Sequence, residues 1–99
     1  MNILSEEKRS KIAELCRRNH VRELSIFGSR SRGDAHPGSD FDLLVDFYPD
    51  SGISLFEFSR MQIDLQDLLG VHVDLVPKQG LKRLIRDIVL AEAQLIYAA

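Results

Sequence analysis

Apolar residues recur along this chain with two periods, and the switches between them mark out its elements. Ile12, Leu15 and Cys16 stand at helical spacing behind Ser5-Glu6-Glu7. A hydroxyl for the free N–H groups and two acids at the positive end of the dipole start a helix there, so residues 5 to 19 are predicted helical, ending at Asn19-His20. VRELSIF (21–27) alternates imperfectly but is β-branched and aromatic, which predicts a strand closing at Gly28. Residues 29–39 are polar and interrupted by Gly33, Pro37 and Gly38, the pattern of a short helical turn followed by a loop. FDLLVDFY (41–48) resumes as a second strand, with Leu43, Val45 and Phe47 on one side and Asp42, Leu44 and Asp46 on the other.

After the turn Pro49-Asp50-Ser51-Gly52, residues Phe58, Met61, Leu65 and Leu68 return to helical spacing. Ser54 and Glu57 are spaced as a capping box and Gly70 as a C-terminal cap, bounding a helix of about 14–16 residues. VHVDLVP (71–77) is a third strand closed by Pro77, and from Leu81 onward Leu84, Ile85, Ile88, Leu95 and Ile96 predict a final amphipathic helix. The order α-β-α(turn)-β-α-β-α is too short for two complete βαβ crossovers with an extra edge. The expected class is therefore α/β (α+β), a small mixed β-sheet covered by helices.

Composition adds bounds. Ninety-nine residues at 44% hydrophobic and 28% charged suit one domain, residues 1–99, with a modest core. A net charge of −2 gives no general attraction to nucleic acid or an anionic membrane, so no direct nucleic-acid binding is expected and any polyanion must meet a local basic cluster. The single cysteine, Cys16, excludes an internal disulfide and a CxxC metal site and fits a reducing, cytoplasmic setting. No stretch has the pattern of a signal peptide or the ~20 apolar residues of a membrane span.

The chemistry concentrates in GSRSRGDAHPGSDFD (28–42). Asp40 and Asp42, two apart at the start of a strand, share a face with Cα atoms roughly 6.5–7 Å apart. Two ionised carboxylates aimed at one space repel unless a cation lies between them, and a hard ion such as Mg²⁺ takes such oxygen ligands together with substrate phosphates. Asp74, charged among apolar neighbours in VHVDLVP, reaches the same point if the third strand pairs with the second. Three carboxylates on two ions ~3.5–4 Å apart would clamp the attacking and leaving oxygens of an in-line phosphoryl displacement. So short a D-x-D pattern also occurs simply as a strand start. The preceding residues change the balance: Gly28-Ser29 opens a helical turn whose N–H groups face outward, and Arg30 and Arg32 add positive charge within it, together an anion cradle.

GSRSRGDAHPGSDFDLLVDF, with Gly28-Ser29, ten residues, then Asp40-x-Asp42, resembles the signature of the DNA polymerase β-like nucleotidyltransferase superfamily, and within it the minimal nucleotidyltransferases (MNT). Arg32-Gly33, Ser39 and Leu43-Leu44-Val45 fall in step with that group's motif, VDLV (73–76) resembles its third-carboxylate strand and LKRLIRDIVLAEAQLIY its closing helix, so the match spans about three-quarters of the chain. Ser31 stands where many members carry alanine. The resemblance implies the nucleotidyltransferase fold and transfer of a nucleotidyl group from Mg²⁺-bound ATP to a hydroxyl, with release of pyrophosphate. Asp40 and Asp42 would hold two Mg²⁺ ions. Asp74 would share the ion that activates the acceptor and take its proton. Gly28, Ser29 and Arg32 would grip the β- and γ-phosphates, with Arg30 and Ser39 beside them. Members this short resemble the antitoxins of HEPN/MNT toxin–antitoxin pairs, in which the MNT protein adds AMP to a tyrosine of a HEPN ribonuclease; the expected partner is such a toxin, in a hetero-oligomer.

Two alternatives accompany this expectation. One is an antitoxin that neutralises by stoichiometric binding without catalysis; in either mode ISLFEF (53–58) could form part of the partner contact, unless Phe56 and Phe58 are core. The other is a small aminoglycoside-type enzyme, compatible with eight acids against one arginine between residues 40 and 74. His20, His36 and His72 share no i, i+4 spacing, and no GxSxG or HExxH occurs, so zinc and hydrolase chemistry find no support. Lys78, Lys82, Arg83 and Arg86 form a basic group after the third strand that could face solvent, the triphosphate or an acidic partner.

Overall fold

The computed structural model describes residues 4–36 and 38–99; Pro37, expected as a loop breaker, lies outside the described residues. The chain runs α1 (Glu6–Arg18), β1 (Val21–Phe27), α2 (Ser29–Arg32), β2 (Phe41–Phe47), α3 (Leu55–Leu69), β3 (Val73–Pro77), a 3-10 turn (Lys78–Gly80), α4 (Arg83–Glu92) and β4 (Gln94–Ala98). The signals read from the sequence act as local physics requires. Ser5 Oγ accepts the Lys8 N–H at α1, and Ser54 and Glu57 exchange reciprocal hydrogen bonds at α3, which ends on Gly70 in the left-handed conformation.

The four strands form a mixed sheet in the order β3-β2-β1-β4. β1 is antiparallel to β2 and β4, and β2 is parallel to β3. One face carries Leu24, Ile26, Leu43, Val45, Val73 and Leu75, packed against Ile12, Leu15 and Cys16 of α1 and Met61, Leu65 and Leu69 of α3. Each fully buried aliphatic side chain there contributes about 1.5–3 kcal/mol, and this interface is the core. Asp42, Leu44 and Asp46 point to the opposite face, as their alternation predicts. Leu44 and Val89 of α4 are buried outside that main core. Asp46, 2% exposed, is held on the second face by Arg22 Nη2 and Nε at 2.6 and 3.1 Å and by Gln79 Nε2 at 3.2 Å. Burial alone would push its pKa up, but these donors and the charges of Arg22 and Lys78 outweigh it and hold the carboxyl below its ordinary value.

The C-terminal element departs from expectation. The helix stops at Glu92, Ala93 is extended, and Leu95 and Ile96 belong to β4, an element the predicted order lacks. The outer edge of β1 carries unpaired N–H and C=O groups, and QLIYA satisfies them while burying Ile96. Leu84, Ile85 and Ile88 are accordingly not core; they are exposed along α4. β3 also begins at Val73 rather than residue 71. Phe58 packs edge-on against Phe47, whereas Leu55 and Phe56 face solvent. Among the described residues no helix is long and apolar enough to cross a membrane.

Candidate functional site

Strand direction gathers the motif residues at one edge of the sheet. β1 ends where its antiparallel partner β2 begins, so Phe27 pairs with Asp42. β3 is parallel to β2 and starts at the same edge, with Asp74 directly beside Asp42. The two carboxylates come from neighbouring strands only ~4.8 Å apart. Asp40 immediately precedes β2, with its Oδ2 3.5 Å from His72 Nδ1, while the Phe41 N–H donates to the His72 carbonyl at 3.0 Å. Asp42 is half-buried, and its pKa is raised by burial first and by the charges of Asp74 and Asp40 next, against the pull of Arg32. Among the described residues no three His, Cys, Asp or Glu side chains already converge at ion-binding distance. Even so, an all-oxygen donor set whose central member is destabilised by its neighbours' charge fits a hard divalent cation.

Gly28 joins β1 to α2 with φ 75° and ψ −153°, a region open essentially to glycine alone. Space makes a second demand: a Cβ there would lie 2.2 Å from Asp42 Oδ2. The close approach of backbone and carboxylate is therefore possible only because residue 28 lacks a side chain. Ser29 opens α2 and its carbonyl accepts the N–H groups of Gly33 and Asp34. Arg32 projects from the same turn to Asp34 (3.4 Å) and Glu92 (3.2 Å). Arg30 turns to the Ser39 carbonyl, with Nη2 at 2.6 Å and Nε at 3.1 Å, and its guanidinium stacks 4.0 Å from the Phe41 ring centroid. The Ser39 hydroxyl accepts the His36 N–H at 2.9 Å. Arg30 and Ser39 thus brace the loop leading to Asp40, while Gly28, Arg32, Asp42 and Asp74 meet around one point.

Two participants were not foreseen in the sequence. His72 stands beside Asp40 because it immediately precedes β3. Glu92 arrives because β4 returns antiparallel to β1: its Oε1 accepts the Gly28 N–H at 3.0 Å and its Oε2 accepts from Arg32 Nη1 at 3.2 Å. The Ser31 hydroxyl donates to the Glu92 carbonyl, and Gln94 Nε2 donates to the Ser31 carbonyl at 2.9 Å. Ser31 therefore ties α2 to the α4–β4 corner.

Comparison with known proteins points the same way. A family model described as a nucleotidyltransferase domain matches residues 9–96. The protein adenylyltransferase MntA of Thermococcus cleftensis is 47% identical over 79 residues, 80% of this chain and 78% of that protein. A candidate protein adenylyltransferase of Methanocaldococcus jannaschii is 36% identical over 93 residues, covering 94% of this chain and 96% of its own length. Among solved structures, a candidate minimal nucleotidyltransferase superposes with a TM-score of 0.76 at 40% identity, over 89% of this chain and 88% of that one. A toxin–antitoxin structure with AMP-PNP shares the fold, with a TM-score of 0.75 at 24% identity, over 92% of this chain and 73% of that one.

Proposed function

Since the chain belongs to the nucleotidyltransferase domain family, we propose that it transfers AMP from ATP to a tyrosine hydroxyl of a HEPN-domain toxin and thereby acts as its antitoxin. The observation that carries this reading is the register pairing of Asp42 with Asp74 at the edge where Gly28 and Arg32 also meet. Its support in known proteins is the T. cleftensis adenylyltransferase and the fold shared with the toxin–antitoxin structure.

Asp40, Asp42 and Asp74 would hold magnesium, which supplies charge to offset that of the triphosphate and to lower the pKa of the acceptor hydroxyl. Ser29 and Arg32 bind the β- and γ-phosphates and aim the α-phosphorus at the acceptor. The acceptor oxygen forms a bond to that phosphorus, the bond to the bridging oxygen of the β-phosphate breaks, and pyrophosphate leaves. Asp74, exposed at the start of β3, takes the acceptor's proton. Leu84, Ile85 and Ile88 along α4 form an apolar surface suited to the partner and equally favour an antitoxin that works by contact alone.

Incubation with the partner toxin, ATP and Mg²⁺ followed by mass spectrometry separates the two. One or more added AMP masses on a tyrosine, absent with D40A/D42A, supports transfer. A tight complex with no mass change leaves stoichiometric binding.

A further inference from the structure

In the proposed function Arg32 binds the triphosphate, yet a carboxylate of the protein already holds its guanidinium. Glu92 uses both its oxygens, Oε1 on the Gly28 N–H and Oε2 on Arg32 Nη1, with its side chain 22% exposed. Its position is imposed by the Ser31 hydroxyl on its carbonyl and by the pairing of Gln94, two residues later, with Ile26. A carboxylate bridging an N–H and a guanidinium presents the acceptors that two oxygens of a phosphate would present.

Resting on the nucleotidyl-transfer reading, we propose that Glu92 is a resident stand-in for the triphosphate: it holds Arg32 while the cradle is empty and yields that cation when a magnesium-bound nucleoside triphosphate enters. Binding is then an exchange of anions at Arg32 rather than a simple addition. Arg32 is kept at the cradle throughout. The exchange also leaves the Glu92 charge beside Asp42 and the incoming phosphates, so affinity for the nucleotide is held down by the same residue that prearranges its binding site.

The test is calorimetric titration of the wild type and Glu92→Gln with AMP-PNP and, separately, tripolyphosphate, each with Mg²⁺. Glutamine retains an oxygen for the Gly28 N–H and replaces the charged acceptor facing Arg32 with a neutral NH2 donor. The variant is expected to bind both probes about three- to tenfold more tightly, with the gain shrinking as salt is raised. Equal or weaker binding by the variant overturns the inference and leaves the nucleotide reading standing. Absence of binding by both proteins overturns the nucleotide reading and this inference with it. Wild-type protein labelled with ¹³C at glutamate carboxyls gives a readout independent of the variant's folding. The Glu92 carboxyl resonance must move in step with AMP-PNP occupancy; saturation with that resonance unmoved also overturns the exchange.

Discussion

Replacing Gly28 by alanine separates two demands that the site makes on one residue. The first is conformational: φ 75° with ψ −153° costs a residue with a Cβ about 1–3 kcal/mol. The second is steric, since the new Cβ would stand 2.2 Å from Asp42 Oδ2 and the carboxylate or the strand must shift, which costs a further ~1–3 kcal/mol. Gly33 is the control for a positive φ without crowding: it is left-handed at φ 84°, ψ 8°, and nothing lies within 4 Å of its added Cβ. Gly33→Ala should cost about 1 kcal/mol, lowering Tm by roughly 4–8 °C, and Gly28→Ala about 2–6 kcal/mol. Denaturant unfolding measures both. The steric part is isolated in a double-mutant cycle: in an Asp42→Ala background, where the opposing oxygens are gone, Gly28→Ala should lose about 1–3 kcal/mol of its cost. Equal costs with and without the Asp42 side chain would refute the close approach on which the site geometry rests.

Asp42→Asn should be more stable than the wild type at pH 7. The folded-state pKa of Asp42 is raised, so its ionised form opposes folding above that value, and the advantage should fade as pH falls through it and vanish below about 4, where the wild-type acid is protonated in both states; urea unfolding against pH follows it. Asp46→Asn should have the opposite sign. A lowered folded pKa contributes stability fully above about pH 4 and loses it as pH falls further, so the variant should lose about 1–2 kcal/mol at neutral pH and show a flatter acid limb. Cys16, fully buried with burial pushing its thiol to about 12, should resist Ellman's reagent at pH 8 in the native protein and react at the rate of unfolding.

Much of this was legible before any coordinates because it is encoded over short distances. Ser5, the Ser54–Glu57 pair and Gly70 bound helices through contacts within one turn, and the Asp40-x-Asp42 spacing needs only a strand to bring both acids to one edge. Asp74 stands beside Asp42, as expected if the third strand pairs with the second, although β3 is an edge strand and Asp74 its exposed position rather than a charge inside a central strand. β4 was missed for the complementary reason. Ile88, Leu95 and Ile96 continue a helical spacing, no glycine or proline intervenes at Ala93, and what turns the chain into a strand is the open edge of β1 some seventy residues earlier. Glu92 was invisible for the same cause, since its contact with Gly28 exists only once β4 has docked. The Arg22–Asp46 pair likewise depends on register across β1 and β2, which neither residue announces.

That β1 ends where β2, β3 and β4 all begin has a kinetic meaning. Gly28 meets Glu92 across a separation of 64 residues, and Asp42 meets Asp74 only after α3 has been formed and crossed over the sheet. Such contacts close long loops and form late in folding. No partly folded intermediate that lacks β3 can bring the acids together, and none that lacks β4 can hold Arg32 against Glu92. On the proposed function the site is incomplete until β3 has docked, so nucleotide binding during refolding should begin with that docking rather than with collapse of the core.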